Sequence, residues 1–194
     1  MSGRFCQSAW ETEDELTHQM DDPVPPRRLI VLDFEASALP QAGSFPVEVG
    51  ICWADTAEVR TWLIRPTSDW LASGLWSAAS AAVHGIGQQE AFDLGLPVRQ
   101  VAMELAAAVA GCEVLSDCPA ADGFWLKAIY DAAGLGRPPF RLHDVFGLFS
   151  ALAGDHRYRI ITVLDEARKR HPPTHRAGPD ARCVVEAIRL LAAM

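Results

Sequence analysis

The chain has 194 residues, 49% of them hydrophobic and 22% charged, with a net charge of −8. These values suit one soluble globular domain and exclude a disordered chain, and no run approaches the ~20 apolar residues that a membrane-spanning helix needs. The acidic balance argues against a broad phosphate-tracking surface, because affinity for long nucleic acid comes mainly from Lys and Arg.

Residues 1–28 read as an acidic, Pro-containing tail, with a polar stretch "ETEDELTHQMDD" and a stiff link "PVPPRR". No basic segment followed by an apolar core marks a secretion signal. Residues 29–194 read as one folded domain without internal repeats. "LIVLDFE" is a strand with apolar residues on both faces, hence central in a sheet. "PVEVGICWA" and "EVRTWLIRP" are two more strands, joined by a hairpin turn at "DTAE". A loop through "HGI" leads to a helix, "PVRQVAMELAAAVAG", and then to a short strand, "CEVLS". A helix follows from Pro119 to about Ala133, closed by Gly134, and "HDVFGLFSALAG", "ITVLDEARKRH" and "PDARCVVEAIRLLAAM" are three further helices. An antiparallel start followed by β–α alternation gives an α/β class, a mixed sheet flanked by helices. The five cysteines are scattered and form no C-x-x-C, which fits reduced thiols in a cytoplasm.

The first strand carries an anomaly. Asp33 and Glu35 lie two apart, so both side chains point to one face. Two like charges about 4 Å apart repel by roughly 4 kcal/mol at a near-surface dielectric, and a divalent cation would reverse that sign. Asp122 precedes Trp125 and Leu126 by three and four positions and so joins their apolar stripe. Asp180 stands four before Val184 and eight before Ile188, again on the apolar side. Each helical acid alone also suits a helix N-terminus, and the strand pair suits a solvated strand end. Together they are four acids from three elements with no Lys or Arg correspondingly placed in sequence, which favours metal ligation. Oxygen-only ligands select Mg²⁺ or Mn²⁺, and the set suits two ions.

"DFEAS" with Asp33 and Glu35, "SDCPAADGFWL" with Asp122, and "HRAGPDA" with His175 and Asp180 resemble the three motifs of the DEDD exonuclease superfamily. The spacing of His175 and Asp180 is similar to that of its DEDDh branch, whose members include proofreading exonucleases, RNase T and oligoribonuclease. Two positions depart from the family's habit: Ala36 replaces the usual Thr, and Cys118, beside Asp117, replaces the usual Asn. The resemblance implies a ribonuclease H-like fold over roughly residues 29–193. It also implies a 3′–5′ exonuclease that hydrolyses terminal phosphodiesters of single-stranded or short nucleic acid, DNA or RNA, to nucleoside 5′-monophosphates. One ion would be held by Asp33, Glu35 and Asp180. The other would be held by Asp33, with Asp122 acting through water. His175 would be the general base toward the attacking water, and Ala36 and Leu39 would meet the terminal nucleoside.

Remaining residues have plainer readings. His84 is a turn residue or a substrate contact, His143 marks a helix start, and Pro172 and Pro173 rule out a helical zinc pair of His171 with His175. Trp53, Trp62 and Trp125 read as core, which leaves the loop residues Trp70 and Trp76 as the candidates for base stacking. A homodimer is compatible with the sequence. The competing expectation is a catalytically weak nucleic-acid or protein-binding domain that retains the exonuclease fold; the complete acid and histidine set argues against it.

Overall fold

The computed structural model describes residues 27–194. The expected tail falls outside it except for Arg27 and Arg28, and Arg28 is fastened to Asp55 by two hydrogen bonds of 2.7 and 2.9 Å. Three strands open the fold: β1 (Leu29–Ala36), β2 (Pro46–Trp53) and β3 (Val59–Arg65). Three short helices follow, α1 (Ser68–Ser73), α2 (Ala78–His84) and α3 (Gln88–Leu94). Next come β4 (Leu96–Pro97), α4 (Val98–Ala108), β5 (Glu113–Ser116) and α5 (Pro119–Ala133). The chain closes with β6 (Leu142–Asp144), α6 (Val145–Ala153), α7 (Tyr158–Arg170) and α8 (Ala177–Ala192).

The strands form one mixed sheet in the order β4-β3-β2-β1-β5-β6. β1 is antiparallel to β2 and parallel to β5, so the antiparallel start and parallel continuation meet at β1. Alternation along β1 sorts its side chains. Ile30, Leu32, Phe34 and Ala36 face α4 and α5, and pack with Val101, Leu105, Leu126 and Ile129. Val31 faces the opposite layer of Phe149, Val163, Val185 and Ile188, from α6, α7 and α8. Asp33 and Glu35 continue the row that Val31 begins, which aims both carboxylates at the start of α8.

Helix α8 is seated by an unusually close approach. A Cβ on Gly50 would lie 2.2 Å from the Gly178 nitrogen, so only glycine lets β2 and the first turn of α8 touch backbone to backbone. Glu48, 1% exposed, completes the seat. Its Oε2 accepts from Ala177 N at 2.9 Å, satisfying one orphan N–H of the helix, and its carboxylate is held by the Arg176 guanidinium. Helix α5 has the expected ends, with Pro119 in its first turn and Gly134 at φ 65° as its C-cap.

The segment between β3 and α4 is more helical than its sequence suggests. Thr67 and Ser77 cap α1 and α2 by accepting from Trp70 N and Ser80 N, and Gly85 ends α2 in the left-handed region. At six or seven residues these helices are too short to develop a readable period. His84, expected in a loop, is therefore the last residue of α2. Trp70 stacks on Phe45 with ring centroids 5.3 Å apart and Trp76 lies 6.1 Å from the same ring, so both half-buried tryptophans pack against the Phe45 cluster.

Candidate functional site

The three elements that carry the sequence-predicted acids converge at the carboxyl end of β1. Ligand atoms of Asp33, Glu35 and Asp180 lie within 4.8 Å of one another, and so do those of Asp33, Asp117 and Asp122. Asp33 belongs to both groups and sits between them. The full acid quartet is thus brought together, and Asp117, where β5 runs out toward α5, is a fifth carboxylate that the motif reading passed over. Its signal was the "SD" directly after the "CEVL" strand, at the end of a strand parallel to β1.

Such crowding has an electrostatic cost, visible in the protonation of the group. Burial, reinforced by Asp122, Glu35, Asp117 and Asp180, holds the Asp33 carboxyl well above the usual carboxylate range. Burial raises Glu35 to about 7, assisted by Asp180 and Glu48 and opposed by Arg176. Asp122, 2% exposed, is also pushed up to about 7 by burial, against the hydrogen bond that Ser116 Oγ donates to it. Ser116 is itself oriented, because its Oγ accepts from Cys118 N at 2.9 Å. An oxygen-only cluster of this density fits hard divalent cations, whose charge removes the repulsion that protons otherwise relieve.

His175 lies in the loop before α8, exposed, with φ at 52°, a left-handed conformation that costs a non-glycine residue of order 1 kcal/mol. What holds it there is Asp180. Oδ1 of Asp180 accepts from Thr174 N at 2.9 Å and Oδ2 accepts from His175 N at 3.1 Å. Arg176, the next residue, is tied to Glu48, so the loop is pinned from both sides. Neither Glu48 nor Arg176 was legible as part of the site. The clue was an acid inside the apolar run "PVEVGIC", paired across the strands with Glu35.

Beside the acids, a cleft of about 430 Å³ opens on the α5 side of β1. Glu35, Ala36, Leu39, His84 and Trp125 all line it, so the three residues singled out as substrate contacts share one cavity that abuts the cluster. Leu39 is 75% exposed at its mouth, yet its loop is tied down at Ser37: Ser37 N donates to Phe45 O at 2.8 Å, and Ser37 Oγ accepts from Phe45 N at 2.9 Å. His84 is 4% exposed, and burial lowers its imidazole pKa. Its Nδ1 accepts from Ile86 N at 3.0 Å, which leaves the proton on Nε2, and that buried nitrogen has no partner. A larger cavity of about 570 Å³ lies at the other ends of β1 and β5, among Arg27, Cys112, Phe140 and Arg141, and includes none of the clustered acids.

No family model and no curated protein matches the chain. Solved structures do. The chain superposes on a zinc-bound E. coli exonuclease I–ssDNA complex with a TM-score of 0.64 and 15% identity, over 86% of this chain and 40% of the other. E. coli exonuclease I bound to a dT13 oligonucleotide gives 0.60 and 15%, over 82% and 40%. Exonuclease I of Methylocaldum szegediense gives 0.64 and 17%, over 87% and 41%. The chain therefore spans about two fifths of the length of these neighbours. Identities this low speak to architecture alone, and on that footing the chain has the ribonuclease H-like α/β fold of these exonuclease I structures.

Proposed function

We propose that this chain is a metal-dependent 3′–5′ exonuclease that removes nucleoside 5′-monophosphates from single-stranded or short nucleic acid. The observation that carries the reading is the pair of acid groups sharing Asp33 beside a cleft lined by Glu35, Leu39 and Trp125. Asp33, Glu35 and Asp180 would hold one Mg²⁺ or Mn²⁺, and Asp33 with Asp117 and Asp122 a second. Two ions so placed supply a clamp for the attacking and leaving oxygens of an in-line phosphoryl displacement.

The protein's own groups do the rest. His175, on its pinned loop, takes the proton of the attacking water. Ala36 and Leu39 receive the terminal nucleoside in the cleft, with His84 lining its wall. The oligonucleotide complexes among proteins of the same fold support a single-stranded substrate.

The test is digestion of 5′-labelled RNA and DNA oligomers of graded length with Mg²⁺, Mn²⁺ or EDTA. Stepwise shortening from the 3′ end, with 5′-monophosphates released and EDTA abolishing it, is the expected result. Binding of the oligomers without shortening under either metal would refute the enzyme reading and leave the binding-domain alternative.

A further inference from the structure

A second, smaller cleft of about 160 Å³ meets the same acid cluster from the opposite face of the sheet, between α6, α7 and α8. Asp117 and Asp180 line it, together with Phe146, Leu164, Arg168 and Pro173. It shares no lining residue with the cleft of Leu39 and His84, and the clustered acids separate the two. A strand whose terminal nucleoside filled the first cleft and whose scissile phosphate lay at the acids would have the second cleft on their far side.

The basic residues at the end of α7 distinguish this cleft further. Lys169 is paired with Asp165, and Arg170 with Glu166 and Glu186. The residue four before Arg168 is Leu164, another wall of the cleft, and Asp165, three before it, is paired with Lys169. Among the described residues Arg168 forms no ion pair, although the protein carries a net charge of −8. Phe146, 44% exposed, stands at the same wall with its ring edge-on to Phe149 at 5.7 Å, leaving a face available for stacking.

Building on the proposed exonuclease reading, we infer that this cleft is a second nucleotide subsite, in which Arg168 binds the phosphate next to the scissile one and Phe146 stacks the adjoining base. The preferred substrate is accordingly at least a trinucleotide or a 5′-phosphorylated dinucleotide, the shortest strands that offer a phosphate beyond the terminal linkage.

Binding separates this subsite from catalysis. The probe is a fluorescent trinucleotide whose terminal linkage carries a bridging methylene and resists hydrolysis, measured by anisotropy with Mg²⁺ over a range of salt. A nucleoside 5′-monophosphate serves as competitor. Arg168→Ala should weaken the trinucleotide about tenfold and flatten its salt slope by about 0.7, the contribution of one single-strand phosphate contact. The ratio of trinucleotide to mononucleotide affinity should fall with it. Phe146→Ala should weaken the trinucleotide without changing the slope, and Arg137→Ala, the same charge loss at an exposed position outside the cleft, should change neither. If Arg168→Ala leaves slope and ratio unchanged, or weakens both ligands equally, the subsite is wrong while the exonuclease reading stands on wild-type digestion of an ordinary trinucleotide. A wild-type protein that neither digests nor binds trinucleotides overturns both.

Discussion

Replacing Asp122 with Asn is expected to stabilise the metal-free protein at pH 8. In the folded chain this carboxyl titrates near 7 rather than at its ordinary 3.8, chiefly because it is buried. A folded-state pKa above the unfolded one means that the native state favours the protonated group. The stability this contributes is therefore complete below about pH 4 and is lost as pH rises through about 7. The gap between 3.8 and about 7 corresponds to about 4 kcal/mol. For a domain of this size that is roughly 8–16 °C in melting temperature. Asn has no proton to lose, and its side-chain oxygen accepts from Ser116 as the carboxylate does. In EDTA, scanning calorimetry from pH 4 to pH 8 should show the wild type falling more steeply than the variant. The two should start together at low pH and separate by about that interval at pH 8. Glu35, also raised to about 7, leaves the variant a residual slope of the same sign. Saturating Mg²⁺ should close the gap by flattening the wild-type curve, because the cation replaces the proton. Parallel wild-type and variant curves in EDTA would show that Asp122 is not held protonated, and the account of a strained acid cluster would fail.

Asp33→Asn, at the residue common to both acid groups, should abolish turnover and also the thermal gain from Mg²⁺, which at a hundredfold excess over Kd is about 2.7 kcal/mol in the wild type; an unchanged gain would place the ions elsewhere. His175→Ala should lower kcat by about 10²–10⁴-fold with melting temperature scarcely altered, as single-turnover assays and calorimetry can check. Arg176→Ala should cost about 1–3 kcal/mol in urea unfolding, because it leaves the buried Glu48 carboxylate with only the Ala177 amide, whereas no measurable loss would mean that the half-exposed guanidinium does not hold it in solution.

The parts of this structure that could be read in advance were those governed by local periodicity. Strand β1, the helix from Pro119 to Ala133 and the long helix ending the chain each span enough residues for a period of 2 or 3.6 to repeat. Asp122 and Asp180 were legible for the same reason, as polar residues standing in apolar stripes. What stayed hidden depends on residues far apart in sequence. Glu48 and Arg176 are separated by 128 positions, and no pattern in either segment announces the partner. Asp117 was hidden for a different reason. As a single polar residue after a short strand it looks like turn chemistry, and only the parallel pairing of β5 with β1 shows that it faces Asp33. The packing of Trp70 and Trp76 against Phe45 was likewise hidden, because a loop assignment conceals tertiary contacts.

The two hydrogen bonds from the Asp180 carboxylate to the backbone at Thr174 and His175 explain why the interval between His175 and Asp180 is a fixed quantity rather than a loose signature. An aspartate in the first turn of α8 reaches back to exactly those amides only while the intervening residues make one tight passage from loop to helix. Inserting or deleting a single residue there would rotate the aspartate about 100° around the helix axis and release the histidine at the same stroke. The loop backbone at Thr174 and His175 and the Asp180 carboxylate are thus coupled as one unit, and a change of length between Thr174 and Asp180 is expected to displace both.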